Sequence, residues 1–259
     1  MRAKGRRGTI SYDERPSTDQ PGSGRRTTMA DPERASITSR WQSQGGVMDT
    51  TSRYGSFYNE KLAASELRRY GKKGLRPWTR TLVEALKAEG VEGATLLDIG
   101  GGIGVIQHEL LAAGVTSVMN VDASAPYLDA ARGESERRGY DGRVSYRHSD
   151  FVELAESVPS ADIVTLDRVV NVYPDMERLI GLSAERARRL YGLVYLRDTR
   201  FVRLVVVVMN LVLRLLRKPV RAVVHPADAI DRVVRENGLT PHFSRQVGPQ
   251  WQVAVYRRL

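Results

Sequence analysis

Leu96-Leu97-Asp98-Ile99-Gly100-Gly101-Gly102-Ile103-Gly104 decides the fold of this 259-residue chain. A short apolar run ends near an acid, four glycines fall within five positions, and a second apolar run follows. The first run reads as a buried strand and the second as the start of a helix. Glycines at such a turn let the backbone bend sharply and let a ligand approach the main chain. The dinucleotide fingerprint G-x-G-x-x-G fails here, because its last position holds Val105 counted from Gly100 and Gln107 counted from Gly102. A carboxylate at Asp98 also conflicts with a pyrophosphate and suits a ligand that carries positive charge.

Working outward, short apolar runs alternate with helical stretches. The pattern predicts strands over Thr95–Ile99, Ser117–Val121, Val144–His148, Ile163–Leu166 and Leu193–Leu196. It predicts helices over Ile103–Ala113, Ala125–Arg138 and Met176–Leu190 between them. Upstream, 58–70 and 77–89 read as helices, the second opening on Pro77 as a first-turn proline should. Downstream, Pro226–Asn237 reads as a helix stopped by Gly238, and Pro241–Val247 and Trp251–Tyr256 flank Gly248-Pro249 as an antiparallel hairpin. Strands alternating with helices imply an α/β fold, with a mostly parallel sheet covered on both faces. Here an antiparallel pair finishes it.

Acids recur at the ends of the predicted strands. Asp122 ends the second strand, one βαβ step after the glycines, where a carboxylate can accept ribose hydroxyls. Asp150-Phe151 follow the third strand and Asp167-Arg168 end the fourth. The C-terminal rim of an open α/β sheet is where such folds bind ligands.

Asp98-x-Gly100-x-Gly102-x-Gly104 resembles the first motif of the class I S-adenosylmethionine (SAM)-dependent methyltransferases, and the resemblance spans about residues 54–259. It implies the Rossmann-like methyltransferase sheet, SAM as cofactor, and methyl transfer as the activity. It implies that Asp98, Gly100, Gly101, Gly102 and Gly104 form the cofactor loop. Ala123, beside Asp122, leaves room for adenine; Asp150 would accept the adenine amino group and Phe151 pack its ring. Asp167 and Arg168 would border the methionine end. Within the superfamily the chain looks most like the magnesium-protoporphyrin O-methyltransferase type, through Leu166-Asp167-Arg168-Val169-Val170-Asn171-Val172-Tyr173-Pro174 and His225-Pro226-Ala227-Asp228-Ala229-Ile230. Where that type tends to have a His before the Tyr-Pro pair, this chain has Val172, or Asn171 with a gap. The resemblance therefore implies methyl transfer without specifying a porphyrin.

Methyl transfer from a sulfonium needs alignment and a dry site, worth roughly 7–11 kcal/mol as effective molarity. A base is required only for a protonated acceptor. Asn171 and Tyr173, just past the fourth strand, are the candidates for orienting an acceptor. Tyr54, Phe57 and Tyr58 precede the first helix, and Tyr58 is placed with them as a catalytic candidate. The helices within 54–90 are expected to fold over the cofactor as a lid. His225 reads as a structural residue at a helix start, and the four histidines show no metal-ligand spacing, so no metal site is expected.

The chain has no cysteine, which excludes disulfides, thiolate metal sites and thiol nucleophiles, and points to a cytoplasmic setting. Its formal charge of +10 is concentrated in two places. Residues 1–40 carry nine basic and five acidic side chains, and residues 197–221 carry seven and one. That is not the folded basic face of a nucleic-acid binder, so no nucleic-acid partner is expected. Residues 1–47 lack apolar periodicity and are expected to be a disordered basic tail ahead of a domain over 48–259. Arg6-Arg7 has no apolar stretch after it that would make an export signal.

Phe201–Leu216, FVRLVVVVMNLVLRLL, lies in a basic amphipathic insertion over 200–220. It is too short and too interrupted to span a membrane. As a helix it carries a polar stripe of Arg203, Asn210, Arg214 and Arg217, opposite Phe201, Leu204, Val205, Val208, Leu211, Val212 and Leu215. Three readings follow: a helix docked by its apolar face, a cap over the acceptor pocket, or peripheral contact with a membrane through 201–217. The cap is the expected one, with an apolar or amphipathic small-molecule acceptor. A nucleic-acid or protein methyltransferase and a SAM-binding regulator without catalysis are the rival functions. The Asn/Asp-Pro-Pro-aromatic motif of many nucleic-acid amino-methyltransferases is missing after the fourth strand.

Overall fold

Asn59 caps the first helix, its side chain accepting the N–H of Leu62 at 3.2 Å, as a residue in that position should. This helix, α1, covers Glu60–Lys73 and ends at Gly74, whose φ is 66°. Pro77 then opens α2, Pro77–Ala88. The structure, a computed structural model, describes Tyr54 and residues 57–259, all within the unit that begins at Met48. The expected tail over 1–47 lies outside the described residues.

The core alternation follows as β1 (Thr95–Ile99), α3 (Val105–Ala112), β2 (Ser117–Asp122), α4 (Ala125–Arg137), β3 (Val144–His148), α5 (Phe151–Leu154), β4 (Ala161–Asp167), α6 (Met176–Glu185) and β5 (Ala187–Leu196). After α7 (Arg200–Leu215) and α8 (Ala227–Glu236) the chain ends in β6 (Leu239–Val247) and β7 (Trp251–Arg258). The seven strands form one sheet in the order β3-β2-β1-β4-β5-β7-β6. The first five are parallel, and β7 pairs antiparallel with both β5 and β6. The Rossmann-like sheet with its antiparallel hairpin is therefore present. Strand order reverses between β1 and β4, and such a switch point opens a crevice at the strands' C-terminal ends.

Strand periodicity divides the core between the two faces. Leu97, Ile99, Tyr191, Leu193 and Tyr195 pack with α6 and α8 through Leu179, Ile180, Ile230 and Val234. Leu96, Leu190 and Val194 point the other way, onto Leu82, Val83 and Leu86 of α2 and Ile106 and Leu110 of α3. A Cβ at Gly192 would lie 2.8 Å from Leu82, so the glycine is what lets α2 lie close against β5.

Three expectations change. The helix read over Met176–Leu190 stops at Glu185, and β5 already begins at Ala187. The arginines that looked helical are in the strand: Arg188 pairs with Asp162 of β4 at 3.1 Å, and Tyr191 is buried with its hydroxyl 2.7 Å from that of Ser183. Next, α2 is not part of a lid; it is a face helix, buried through Leu82, Val83 and Leu86. Finally, α7 turns its apolar face away from the domain. Only Val202 and Val206 are buried, against Leu196, Ala222, Val224 and Trp251.

Candidate active site

The glycine turn after β1 is built on positive φ. Gly100, Gly102 and Gly104 lie at 61°, 58° and 77°, a region that side chains with a Cβ enter at a cost of about 1–2 kcal/mol. Close packing also bars a side chain at Gly100 and at Gly101. A Cβ on Gly100 would sit 2.4 Å from Val169, and one on Gly101 would sit 2.7 Å from the Asn120 amide. At Gly102 the nearest atom, on Tyr127, is 3.4 Å away, so a Cβ there would make only ordinary contact.

Asp98 is buried at the end of β1. Its Oδ1 accepts the Thr165 hydroxyl at 2.7 Å, while Oδ2 finds no hydrogen-bond partner among the described residues. Burial raises its pKa to about 7; the Thr165 bond opposes the shift, and the neighbouring Asp167 and Asp122 add to it. Asp122 ends β2 and clamps the loop, Oδ2 accepting the N–H of Gly102 at 2.9 Å and Oδ1 the N–H of Ser124 at 2.8 Å. Burial raises it to about 6 in spite of those two bonds. Buried carboxylates held near neutrality with a lone pair unused make a floor that favours a cation.

Asp150 caps α5, Oδ1 accepting the N–H of Val152 at 2.9 Å. The Tyr173 hydroxyl donates to Asp150 at 3.1 Å, so these two residues form one wall together with Phe151. Asp167 accepts the Thr79 hydroxyl at 2.6 Å, and the Arg168 guanidinium lies 3.3 Å from its other oxygen. Arg168 has φ 66°, unusual for a residue with a side chain, and its guanidinium lies 5.9 Å from the Trp78 ring.

One cavity at the C-terminal rim is lined by Asp98, Gly100, Gly101, Gly102, Asp122, Ala123, Asp150, Phe151, Asp167 and Arg168. Gly104 is not in the wall. It is the left-handed N-cap of α3, and a Cβ there would meet Gln107 at 2.5 Å. Tyr58 and Tyr173 line the cavity. Tyr58 packs edge-on to Tyr127, its ring 5.5 Å away, and its backbone oxygen accepts the Ser124 hydroxyl at 2.6 Å. Asn171 does not line the cavity. It is buried, its side-chain oxygen accepts the N–H of Leu196 at 2.7 Å, and its carbonyl accepts the N–H of Val223 at 2.6 Å. Its task is to tie β5 and the segment after α7 to the end of β4, which corrects its expected place beside an acceptor. His225 is likewise structural, with Nε2 3.0 Å from the Tyr173 carbonyl.

Glu66, Arg69 and Arg76 also line the cavity and were not singled out from the sequence. Glu66 and Arg69 are three apart on α1 and so share a face, and Arg76 stands at the start of α2 with its guanidinium 3.8 Å from Glu66. Burial and the charges of Arg76 and Arg168 lower the pKa of Arg69, which marks a cluster of guanidiniums at one side of the cavity. Among the described residues no cluster of His, Asp and Glu is arranged to hold a metal.

Residues 96–189 match the methyltransferase domain family. The chain has the Rossmann-like methyltransferase fold. Its methyltransferase fold is similar to the magnesium protoporphyrin IX methyltransferase of Synechocystis, solved with bound SAM, at 17% identity and a TM-score of 0.59, over 83% of this chain and 100% of that one. An O-methyltransferase family protein from Burkholderia thailandensis is similar at 19% identity and a TM-score of 0.60, over 88% of this chain and 70% of that one. By sequence, the chain is 26% identical to the ribosomal protein L11 methyltransferase of Yersinia pestis over 136 residues, 50% of this chain and 46% of that protein. The chain spans about half the length of the curated relatives it matches.

Proposed function

We propose that this chain transfers a methyl group from SAM to an apolar or amphipathic small molecule. The observation that carries the reading is the unpartnered Oδ2 of buried Asp98, set beside a positive-φ glycine turn in a cavity that Asp122, Asp150 and Phe151 also line. These residues fit SAM. A cation near Asp98 supplies the charge that its burial lacks, Asp122 has lone pairs left for ribose hydroxyls, and Asp150 with Phe151 offers an acceptor and an apolar wall for adenine. The guanidiniums of Arg69, Arg76 and Arg168 suit a carboxylate, so the division of charge across the cavity matches a zwitterionic amino-acid end.

SAM supplies an activated methyl when bound; the chain's own residues exclude water and align. Tyr54, Tyr58, Leu75, Ile103 and Val172 form the apolar part of the wall. The Tyr54 hydroxyl donates to the carbonyl of Val172 at 2.7 Å and joins the segment before α1 to the turn after β4. No general base is assigned, and a carboxylate acceptor needs none. Similarity to the L11 methyltransferase favours a protein acceptor as the second reading, and the apolar wall favours a small molecule. The expected setting is the cytoplasm.

Incubation with methyl-labelled SAM and a panel of lipophilic acids, phenols and amines tests the reading. Label should enter a product extractable into organic solvent. Label that enters only acid-precipitable protein or RNA would replace the small-molecule acceptor with a macromolecule.

A further inference from the structure

Ten of the eleven large apolar side chains left exposed among the described residues belong to one stretch, 201–216, and the other is the terminal Leu259. Leu204, Leu211 and Leu215 are 62%, 56% and 74% exposed. The helix docks on the domain through a narrow stripe instead: Val202 and Val206, extended by Asn210, whose amide donates to the carbonyl of Ala222 at 2.8 Å and accepts its N–H at 2.9 Å. Asn210 therefore belongs to the docked side, and the apolar face lies opposite it, in the open. No residue of α7 lines the cavity, so the expected pocket cap is not what this face does.

The charges around the face select its occupant. Arg200, Arg203 and Arg214 project along one edge of the apolar face, and Arg217 and Lys218 follow its end; all five are exposed. The one acid in the neighbourhood, Asp198, is already paired with Arg203. A second copy of α7 packed antiparallel would bring the two arginine edges together with no free acid between them. An apolar face of this size beside unpaired cations fits a surface that offers hydrocarbon below a layer of negative charge. No described helix is long and apolar enough to cross a bilayer, so the fit is to one lying in the interface.

We propose that α7 docks the domain on an anionic lipid bilayer, with Phe201, Leu204, Val208, Leu211 and Leu215 in the acyl boundary and the basic edge at the phosphates. Arg and Lys side chains reach outward from such a position with their stems on apolar surface. The helix leaves the sheet at the C-terminal end of β5, the end at which the glycine turn and Asp98 border the cavity.

Co-sedimentation of the full chain with vesicles tests this. The protein should pellet with phosphatidylcholine vesicles containing phosphatidylglycerol, and bind pure phosphatidylcholine at least about tenfold more weakly. L204D/L211D changes only exposed positions, so it should keep the wild-type circular dichroism and SAM affinity while losing vesicle binding. R214Q/R217Q/K218Q leaves the apolar face intact and should weaken binding by about a hundredfold, near fivefold per cation. Failure of the wild type to pellet with anionic vesicles overturns the proposal. So does undiminished pelleting of L204D/L211D, which would assign the binding to basic residues elsewhere, such as those within 1–40. A wild-type dimer in solution that L204D/L211D converts to monomer would also overturn it, in favour of a second copy.

Discussion

The Oδ2 of Asp122 accepts the N–H of Gly102 at 2.9 Å, so the carboxylate that ends β2 holds the shape of the turn that ends β1. One side chain thereby fixes the loop and faces the cavity. Asp122→Ala should weaken SAM binding by roughly tenfold to a hundredfold, the 1–3 kcal/mol cost of unpaired buried donors. Free methionine, which has no ribose, should lose much less. Calorimetry with both ligands checks this, and equal losses would mean that the change acts through the loop alone.

Asp98 gives the site a pH dependence with a definite sign. Its folded pKa of about 7 lies above the ordinary carboxylate value, so the folded state holds the proton more tightly than the unfolded chain. Its contribution to stability is therefore full at acid pH and falls as pH rises through about 4 to 7. Binding of a cation should run the other way and strengthen as pH rises through 7, with proton release. Asp98→Asn should flatten both profiles, raise the melting temperature of the free protein at pH 8, and weaken SAM.

Two neighbouring glycines should respond differently. Gly101→Ala drives a methyl into the buried Asn120 amide, so it should lower the melting temperature strongly. Gly102→Val sets its Cβ in ordinary contact with Tyr127 and bears mainly the backbone cost of positive φ, about 1–2 kcal/mol. It should remain folded and lose SAM. Thermal melts with and without SAM separate the two; a Gly102→Val protein that still gains stability from SAM would place the ligand away from the loop.

Tyr173 reaches the cavity through Asp150, not as a free hydroxyl. Tyr173→Phe should accordingly raise KM for SAM more than it lowers kcat. A large fall in kcat at unchanged KM would return Tyr173 to the methyl's side.

Much of this arrangement was legible in the sequence because it depends on local pattern. Asp98, Asp122, Asp150 and Asp167 fall at strand ends that apolar runs mark on their own, and the glycines announce their turn. Other features depend on what packs in three dimensions. Arg188 and Arg189 continue a helical pattern in sequence, but the partner β4 draws Ala187–Leu196 into the sheet. Asn171 looked like a site residue because it follows a strand end, yet it is buried outside the cavity and its side-chain oxygen is taken by the N–H of Leu196. For α7, a helical wheel shows two faces and cannot say which one docks. Val202 and Val206 pack against Trp251 and Ala222 and Asn210 bonds Ala222, and that choice leaves the larger apolar face outside.

The central claim, a cavity built for SAM, is tested most directly by titrating the full chain with SAM, with its demethylated product and with NAD in a calorimeter. Saturable heat with SAM and its product in the micromolar range, and none with NAD, is the predicted result. Saturable binding of NAD with no heat from SAM would contradict the account.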